Sequence, residues 1–430
     1  MIGKKIYNLA KLIWPIHRSL TGKGNRETLK IFKKICNKLK IIEIKSGKKV
    51  FDWKIPQEWA VSEAWIKDKN NKKIIDFKNN NLHLLAYSRA VKAKINSNDL
   101  KKKLYSDPEK PKAIPYVTSY YRKRWGFCVS ENFKKKLKKG NYNVLINSRF
   151  FNGSMTLGEI YSPGKSKKEI FFSTYICHPA MGNNEISGPV TTIHVAKWLS
   201  ELRNRNFSYR IVFIPETIGS IAYIHKNIKK LKKNVVAGFN ITCVGDNRCY
   251  SYLPSRDGNT LSDKVLKHVL KWTDKNYKSY TWLDRGSDER QYCAPGVDLP
   301  VASIIRSKYG TYKEYHTSED NLKNVVTEKG LSNSYVLIKK IIESLEKNVI
   351  PKTKILCEPM LSKRKLYPDI NYRGQKSLET KLLNNVLTYC DGKNDLIEIA
   401  ELNKVPVWKL YKIMEVLKKE KIVKIINVRK

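Results

Sequence analysis

Four residues have the types and the placement to do chemistry: His178, Glu216, Asp246 and His316. His178 closes the apolar run Phe171-Phe172-Ser173-Thr174-Tyr175-Ile176-Cys177-His178, and Gly182-Asn183-Asn184-Glu185-Ile186-Ser187-Gly188 follows. The run reads as a buried strand, and α/β enzymes build their sites at such C-terminal ends. An imidazole there could give a ring nitrogen to a zinc ion, or be a core histidine bonded to backbone. Glu216 follows the strand-like Tyr209–Ile214 and Pro215. A carboxylate so placed can take a proton from a metal-activated water and pass it to a leaving amine. It could instead cap the helix that begins near Ser220. Asp246 follows Val244-Gly245. The glycine permits a tight turn, so the carboxylate could be a ligand or the acceptor of an Asx-turn. His316, in Glu314-Tyr315-His316-Thr317-Ser318, could be a ligand from far along the chain or the neighbour of a helix cap.

The elements that must position these residues are legible as an alternation. Strands are expected at Met155–Tyr161, Glu169–Ile176, Tyr209–Ile214, Ala237–Cys243 and Val301–Ile305. Helices are expected at Gly188–Arg203, Ser220–Leu231, Thr260–Trp272 and Ser332–Glu346. Such alternation predicts an α/β sandwich with a mostly parallel central sheet. Residues 1–40 read as helical, with Leu29, Phe32, Ile35 and Leu39 at helical spacing, and a short strand follows at Lys40–Ile44. From 48 to 146 the texture changes to short strands in Asn- and Lys-rich turns: Phe51–Trp53, Asn81–Tyr87 and Tyr142–Ile146. This block reads as an inserted β-rich domain. The expected layout is therefore a catalytic domain of residues 1–47 and 147–350, the insertion at 48–146, a linker at 351–375 and a winged helix at 376–430. In that last module the order is helix (Leu378–Tyr389), helix (Asp395–Glu401), helix (Pro406–Glu420) and strand (Ile422–Val428).

Composition excludes some classes and leaves one temptation. No apolar stretch reaches about 18 residues, so no membrane span is expected. Lys11 breaks the apolar N-terminal segment and no small-residue cleavage site follows, so no secretory leader is expected. Eight cysteines without CxxC pairs suit reduced thiols of the cytoplasm. The net charge of +45 suggests a nucleic-acid binder. Residues 351–430, however, carry +9 of that charge, in proportion to their length. The excess is an even lysine bias, not a patch. It would still draw acidic glycans, membranes or nucleic acids in a salt-dependent way. Of the remaining histidines, His194 and His83 read as packed, His225 and His268 as solvated in lysine-rich helices, and His17 as remote from the site. Cys177 would point away from His178 in a strand, into the core.

The motifs taken in order resemble a known family. His178, Asn184-Glu185-Ile186-Ser187-Gly188, Glu216, Asp246, Gly286-Ser287-Asp288 and Tyr315-His316-Thr317 are similar to the zinc aminopeptidases of the bacterial leucyl-aminopeptidase type. Tyr175-Ile176-Cys177-His178-Pro179, Pro215-Glu216-Thr217-Ile218-Gly219-Ser220 and Glu314–Ser318 look closer to a bacterial branch labelled polysaccharide-biosynthesis proteins. That branch has an aminopeptidase-like core, an inserted β-domain and a C-terminal winged helix. Arg18-Ser19-Leu20-Thr21-Gly22, Phe51-Asp52-Trp53 and Ile114–Tyr121 extend the likeness over nearly the whole chain. The resemblance implies hydrolysis of an amide, in a small peptide or an aminoacyl-amide, with zinc-activated water. Glu216 stands where the family has its general base, and His178, Asp246 and His316 stand where it has ligands. Two positions depart. Asn184 replaces an aspartate that bridges two zincs, with Glu185 next door, and Thr217 replaces a second metal-binding glutamate. One Zn2+, held with Asn184 or Glu185, is therefore expected in preference to two. The same departures support a second expectation, a catalytically impaired binding or regulatory protein linked to polysaccharide biosynthesis. A third, a DNA-binding regulator, would use Lys409, Lys412, Lys418 and Lys419; nucleic acid is a partner the sequence allows without favouring.

Overall fold

The computed structural model describes residues 1–366 and 378–426. The chain opens with α1 (Ile2–Ile13), α2 (Lys23–Ile35) and β1 (Lys40–Lys45). A second sheet follows, made of β2 (Glu58–Lys67), β3 (Lys73–Asp76), β4 (Val91–Asn96) and β5 (Asn141–Phe151). The alternation resumes with β6 (Ser154–Ser162), β7 (Glu169–Tyr175), α3 (Ser187–Glu201), β8 (Ser208–Ile214), α4 (Ile218–Asn234) and β9 (Val235–Ile241). Then come β10 (Ser251–Leu253), α5 (Leu261–Lys271), β11 (Lys278–Ser279), β12 (Val301–Ile305) and α6 (Glu328–Lys347). The last elements are β13 (Ile350–Thr353), α7 (Leu378–Thr388), α8 (Leu396–Leu402), α9 (Leu410–Lys419) and β14 (Val423–Ile426). The chain divides into two compact units, residues 1–262 with 276–336 and residues 263–275 with 337–430.

The main sheet has eight strands in the order β1-β6-β8-β7-β9-β12-β10-β11. It is mixed. The central run β8-β7-β9-β12 is parallel, as expected from the sequence. The outer pair β10–β11 is parallel too, so the sheet is mostly parallel as expected, while β1–β6, β6–β8 and β12–β10 pair antiparallel. The reason is connection length. Parallel neighbours need a crossover of a dozen or more residues. Helices α3 and α4 supply such crossovers, whereas six residues join β6 to β7 and no helix joins β9 to β10.

Every residue of β7 and β8 is buried, so both strands read as near-continuous apolar runs. Arg210 is the exception in β8. Its guanidinium is held by Glu169 (2.5 and 2.9 Å) and Glu159 (3.0 Å), so the buried charge is paired. Gly188, at the start of α3, is required by close approach. A Cβ there would lie 2.5 Å from Thr174 Oγ1 and 2.7 Å from the Ile241 carbonyl. The absence of a side chain lets the first turn of α3 press the segment Gly182–Ile186 against the sheet.

The inserted sheet runs β3-β2-β5-β4, all antiparallel. In β5 the residues Tyr142, Val144, Ile146 and Ser148 face inward and their neighbours outward, the period-two signature of a half-covered sheet. Two expected strands are different structures. Phe51 takes a positive φ of 53° and makes a turn between strands of two residues each. Asn80 caps a 3-10 turn at Asn81–His83 by accepting from the Leu82 amide, which ends the extended run. No helix among the described residues is long and apolar enough to cross a membrane.

The second unit has the helix order expected for residues 378–420, with β14 pairing antiparallel to β13. β13 occupies the head of the stretch expected as linker. Linker residues 367–375, residues 376–377, and Asn427 and Val428 of the expected strand lie outside the described residues. His268 is buried, not solvated. Its Nδ1 lies 2.5 Å from Glu401 Oε1, and its Nε2 accepts from the Val407 amide at 2.9 Å.

Candidate active site

Because β7, β8, β9 and β12 are parallel, their C-terminal ends lie on one edge of the sheet. Residues 176–178, 215–217, 242–246 and 306–307 therefore converge there. β7 ends at Tyr175, so strand alternation no longer governs Cys177 and His178. Cys177 is buried in the hydrophobic core, as expected, yet its Sγ also lies 3.5 Å from His178 Nδ1 at the bottom of the cavity.

His178 is oriented by a relay of charges. Its Nδ1 meets Glu185 Oε2 at 2.8 Å, and Glu185 Oε1 lies 3.4 Å from Arg18 Nε. Arg18 is itself buried and donates from Nη1 to the Ile13 carbonyl at 2.8 Å. Its other nitrogen, Nε2, faces Glu216 Oε2 at 3.6 Å. Burial works against the imidazolium, but Cys177 and Glu185 outweigh it and hold His178 above the ordinary histidine value. Glu185 thus gives Oε2 to His178, while Oε1 faces Arg18 as an ion pair without a hydrogen bond.

Glu216 sits just past β8, with its side chain 21% exposed toward the cavity. Ser287 Oγ donates to its Oε1 at 2.7 Å. Burial raises its pKa, and the charge of His178 partly offsets that. The next residue, Thr217, takes φ 66° and ψ −76°, a strained conformation for a β-branched residue. Asp288 holds it there by accepting from the Thr217 amide (2.8 Å) and Ser220 Oγ (2.7 Å). Burial, followed by the charge of Glu216, pushes Asp288 up to about 8, and its Oδ2 has no partner. Arg290 donates to Thr217 Oγ1 at 2.7 Å.

The remaining expected ligands are arranged differently. Asp246 accepts four donors: Ser307 N (2.9 Å), Ser307 Oγ (3.0 Å), Arg248 N (2.8 Å) and Asn183 Nδ2 (3.0 Å). Both of its oxygens are fully used. Asn183, not Asn184, is the amide that meets it. Asn184 accepts at Oδ1 from the Tyr175 hydroxyl (3.0 Å), and its buried Nδ2 is unpartnered. Asp320 clamps this turn by accepting from the amides of Asn183 (2.6 Å) and Asn184 (2.9 Å). His316 adopts φ 56°, and its ring lies 5.9 Å from that of His178, centre to centre. It stacks on Tyr315 at 3.9 Å. Burial, with a smaller effect from His178, lowers it to about 3, so it is a neutral imidazole.

The inserted domain supplies a wall of the site that sequence reasoning missed. Pro115 bridges to Thr317, and the Tyr116 amide donates to the His316 carbonyl at 2.8 Å. The Tyr116 ring packs edge-on against both His178 (5.1 Å) and His316 (5.3 Å). A cavity of about 410 Å³ opens over His178 and Glu216, with Thr118–Arg122, Arg124 and Trp53 on its other side. The signal was present in the phrase Ile114–Tyr121, but its destination was not.

A metal ion can be tested against this donor set. Two imidazoles on one zinc, each about 2.0–2.1 Å from it, put their ring centres roughly 5–6 Å apart. His178 and His316 meet that spacing, and the first has the carboxylate partner that metal-bound histidines ordinarily have. Cys177, His178 and Glu185 are the only three such donors lying within 4.8 Å of one another among the described residues. That trio shares Nδ1 and is neutralised by Arg18, and burial pushes the Cys177 thiol up to about 11. A metal ion facing His178 Nε2 would have His178 and His316 as its histidine donors. Asp246 is saturated by hydrogen bonds, and Thr217 is bonded to Arg290.

Comparison with known proteins is consistent with this frame. Residues 7–348 match the family described as a domain of unknown function (DUF4910), and residues 348–425 match a winged helix-turn-helix. A Clostridium acetobutylicum protein named "Putative polysaccharide biosynthesis protein with aminopeptidase-like domain" is 41% identical over 403 residues, covering 93% of this chain and 91% of its own. A crystal structure of a C. acetobutylicum protein, called a "putative peptidase", superposes with a TM-score of 0.93 at 38% identity, over 99% of this chain and 97% of that one. A zinc aminopeptidase from Bacillus subtilis superposes with a TM-score of 0.59 at 13% identity, over 80% of this chain and 94% of that one. This last likeness is one of fold.

Proposed function

The chain belongs to the DUF4910 family, with an aminopeptidase-like fold joined to a winged helix-turn-helix, and from that premise we propose that it hydrolyses an amide with the help of one zinc ion. The substrate class is a small peptide or an aminoacyl-amide. The observation that carries the reading is the pair His178 and Glu216 at the cavity floor. One imidazole nitrogen is fixed by Glu185 and the other faces a half-buried carboxylate at 3.6 Å.

In this reading His178 and His316 would hold the ion. When bound, zinc supplies a Lewis acid for the amide carbonyl and lowers the pKa of water. Glu216 holds and moves the proton. Burial raises its proton affinity, and Ser287 holds Oε1 so that Oε2 faces His178 Nε2. Glu185 fixes the tautomer of His178, and Arg18 keeps Glu185 in place. Tyr116 covers both histidines and excludes water from that side. Of the ligands expected from sequence, we assign Asp246 and Asn184 to building the turn and Glu185 to orienting His178. The eight cysteines are free thiols, which supports a reducing, cytoplasmic setting.

A second reading has its own support. The Arg18–Glu185 pair and the Arg290–Thr217 contact fill with cations a site that would otherwise call for metal, as suits a binding protein on an enzyme scaffold. Elemental analysis of the purified protein separates the two. The hydrolase reading expects about one zinc per chain, lost in both His178→Ala and His316→Ala. It also expects Glu216→Gln to keep the metal and lose about 10²–10⁴ in rate on an amide panel. No metal after zinc reconstitution would overturn it in favour of the binding protein.

A further inference from the structure

We propose that the cavity selects a carboxylate-bearing sugar, with Arg122 and Arg124 taking the acid and Trp53 with Tyr121 taking the ring; the inference rests on the hydrolase reading only for what is then cleaved. The charge around the cavity is lopsided. Glu216 is the one carboxylate among its lining residues, while Arg122 and Arg124 face it from the inserted domain. Neither guanidinium has a carboxylate within 4.0 Å among the described residues. Arg124 is anchored through Nη2 to the Thr118 carbonyl and over the Tyr105 ring, and its Nε is buried without a partner. Arg122 is exposed. Arg124 is anchored and neither guanidinium has an ion pair, which suits them to a planar carboxylate. The net charge of +45 would steer such a ligand inward.

The second observation is aromatic. Trp53 and Tyr121 are 40% and 56% exposed, and their rings meet edge-on at 6.0 Å. Large apolar rings left open on the rim of a cationic cavity offer the C–H face of a sugar a place to lie. The 410 Å³ volume lies in the range for small ligands, so it suits a terminal unit or a disaccharide. With its acid on Arg122 and Arg124, such a ligand spans toward Glu216, where an amide substituent would meet the proton carrier.

Binding is measured by calorimetry on the full chain with three probes: an unsaturated-free digalacturonic acid, its neutral digalactose analogue, and a dipeptide with a free carboxylate. None of the two sugars contains an amide, so their binding is read apart from hydrolysis. The acidic sugar should bind at least about tenfold tighter than either other probe, in line with a charge-assisted hydrogen bond. That preference should fall about tenfold in Arg122→Gln, an exposed change that spares the fold, and should weaken with added salt. Trp53→Ala should weaken both sugars alike. Equal binding of the neutral sugar, a dipeptide bound as tightly, or an unchanged Arg122→Gln would overturn the proposal. Tight acidic-sugar binding with no amide hydrolysed would leave it standing and remove the hydrolase reading. Amide hydrolysis without the acid preference would do the reverse.

Discussion

Replacing Arg18 by Met should destabilise the unit that holds the site far more than its distance in sequence suggests. Arg18 and Glu185 have side chains 1% and 0% exposed, with Nε and Oε1 at 3.4 Å. Breaking a buried pair from one side costs about 3–5 kcal/mol, because the surviving charge stays buried. The loss of the Nη1 bond to Ile13 adds about 1 kcal/mol. His178 remains against Glu185 and offsets part of this, so about 3 kcal/mol is expected. Glu185→Gln alone leaves a buried guanidinium and should cost roughly as much. The double variant removes both charges at similar volume. Such replacements are often near neutral, so its cost should be about 1–2 kcal/mol instead of the sum. The coupling between the two sites, about 6 kcal/mol for the two single changes less about 1–2 for the double, is then about 4–5 kcal/mol, above the usual range of about 0.5–3 for neighbouring residues. Urea unfolding followed by tryptophan fluorescence measures all three variants. Because the chain has two units, the transition that moves must be identified before energies are compared. Additivity within about 0.5 kcal/mol would refute the pairing, and with it the account of how His178 is held.

Asp288→Asn should flatten the dependence of stability on pH. The folded pKa of Asp288 is raised to about 8 from an ordinary 3.8, so the native state holds its proton longer than the unfolded chain. Stability from this group is therefore fully present below about pH 4 and is lost as pH rises toward 8, by on the order of 1 kcal/mol per pH unit. Thermal melts of wild type and variant from pH 5 to 8 that fall in parallel would contradict this. Gly330→Ala should cost about 1–3 kcal/mol or more, since its Cβ would meet the carbonyls of Gly245 (2.2 Å) and Asp246 (2.4 Å), which are backbone and cannot turn aside. A melting temperature unchanged within error would show that the Asp246 turn is softer than drawn. In the second unit, His268→Ala should cost about 1–3 kcal/mol by stranding the buried Val407 amide, and hydrogen exchange at that amide should rise. Unchanged protection there would show that the imidazole is dispensable.

The frame of this fold was legible because burial on two faces writes itself into local sequence. Phe171–Tyr175 and Tyr209–Ile214 are apolar runs of strand length, and the helices between them have the right spacing. Parallel order then places His178 and Glu216 on one edge without any knowledge of contacts. The antiparallel flanks were not legible, since they depend on which connection lacks a helix. The roles of neighbours were hidden for a different reason. Asn183 and Asn184 look alike in the chain, yet the π-turn at Gly182–Ile186 aims one amide at Asp246 and the other at Tyr175. Asp246 is saturated by Ser307, a residue 61 positions away, and nothing near Asp246 announces it. Arg18 and Tyr116 come from segments without periodic signal whose partners exist only once the chain has folded.

The lacing of Pro115–Tyr116 to His316–Thr317 has a consequence for how the protein is made. The two stretches are separated by 200 residues, and the second carries half of the proposed ion site. At about 5–20 residues per second, a ribosome spends roughly 10–40 s between them. During that interval the inserted sheet can form, since its hydrogen-bonding partners have all emerged by residue 151. Its tyrosine loop can pair with Ala86 at once, but the Ile114 carbonyl and the Tyr116 amide must wait for residues 316–318. The pocket is therefore a late product of synthesis, assembled by the arrival of residue 316, and a nascent chain stopped before that point would carry the wall of the site with nothing to enclose.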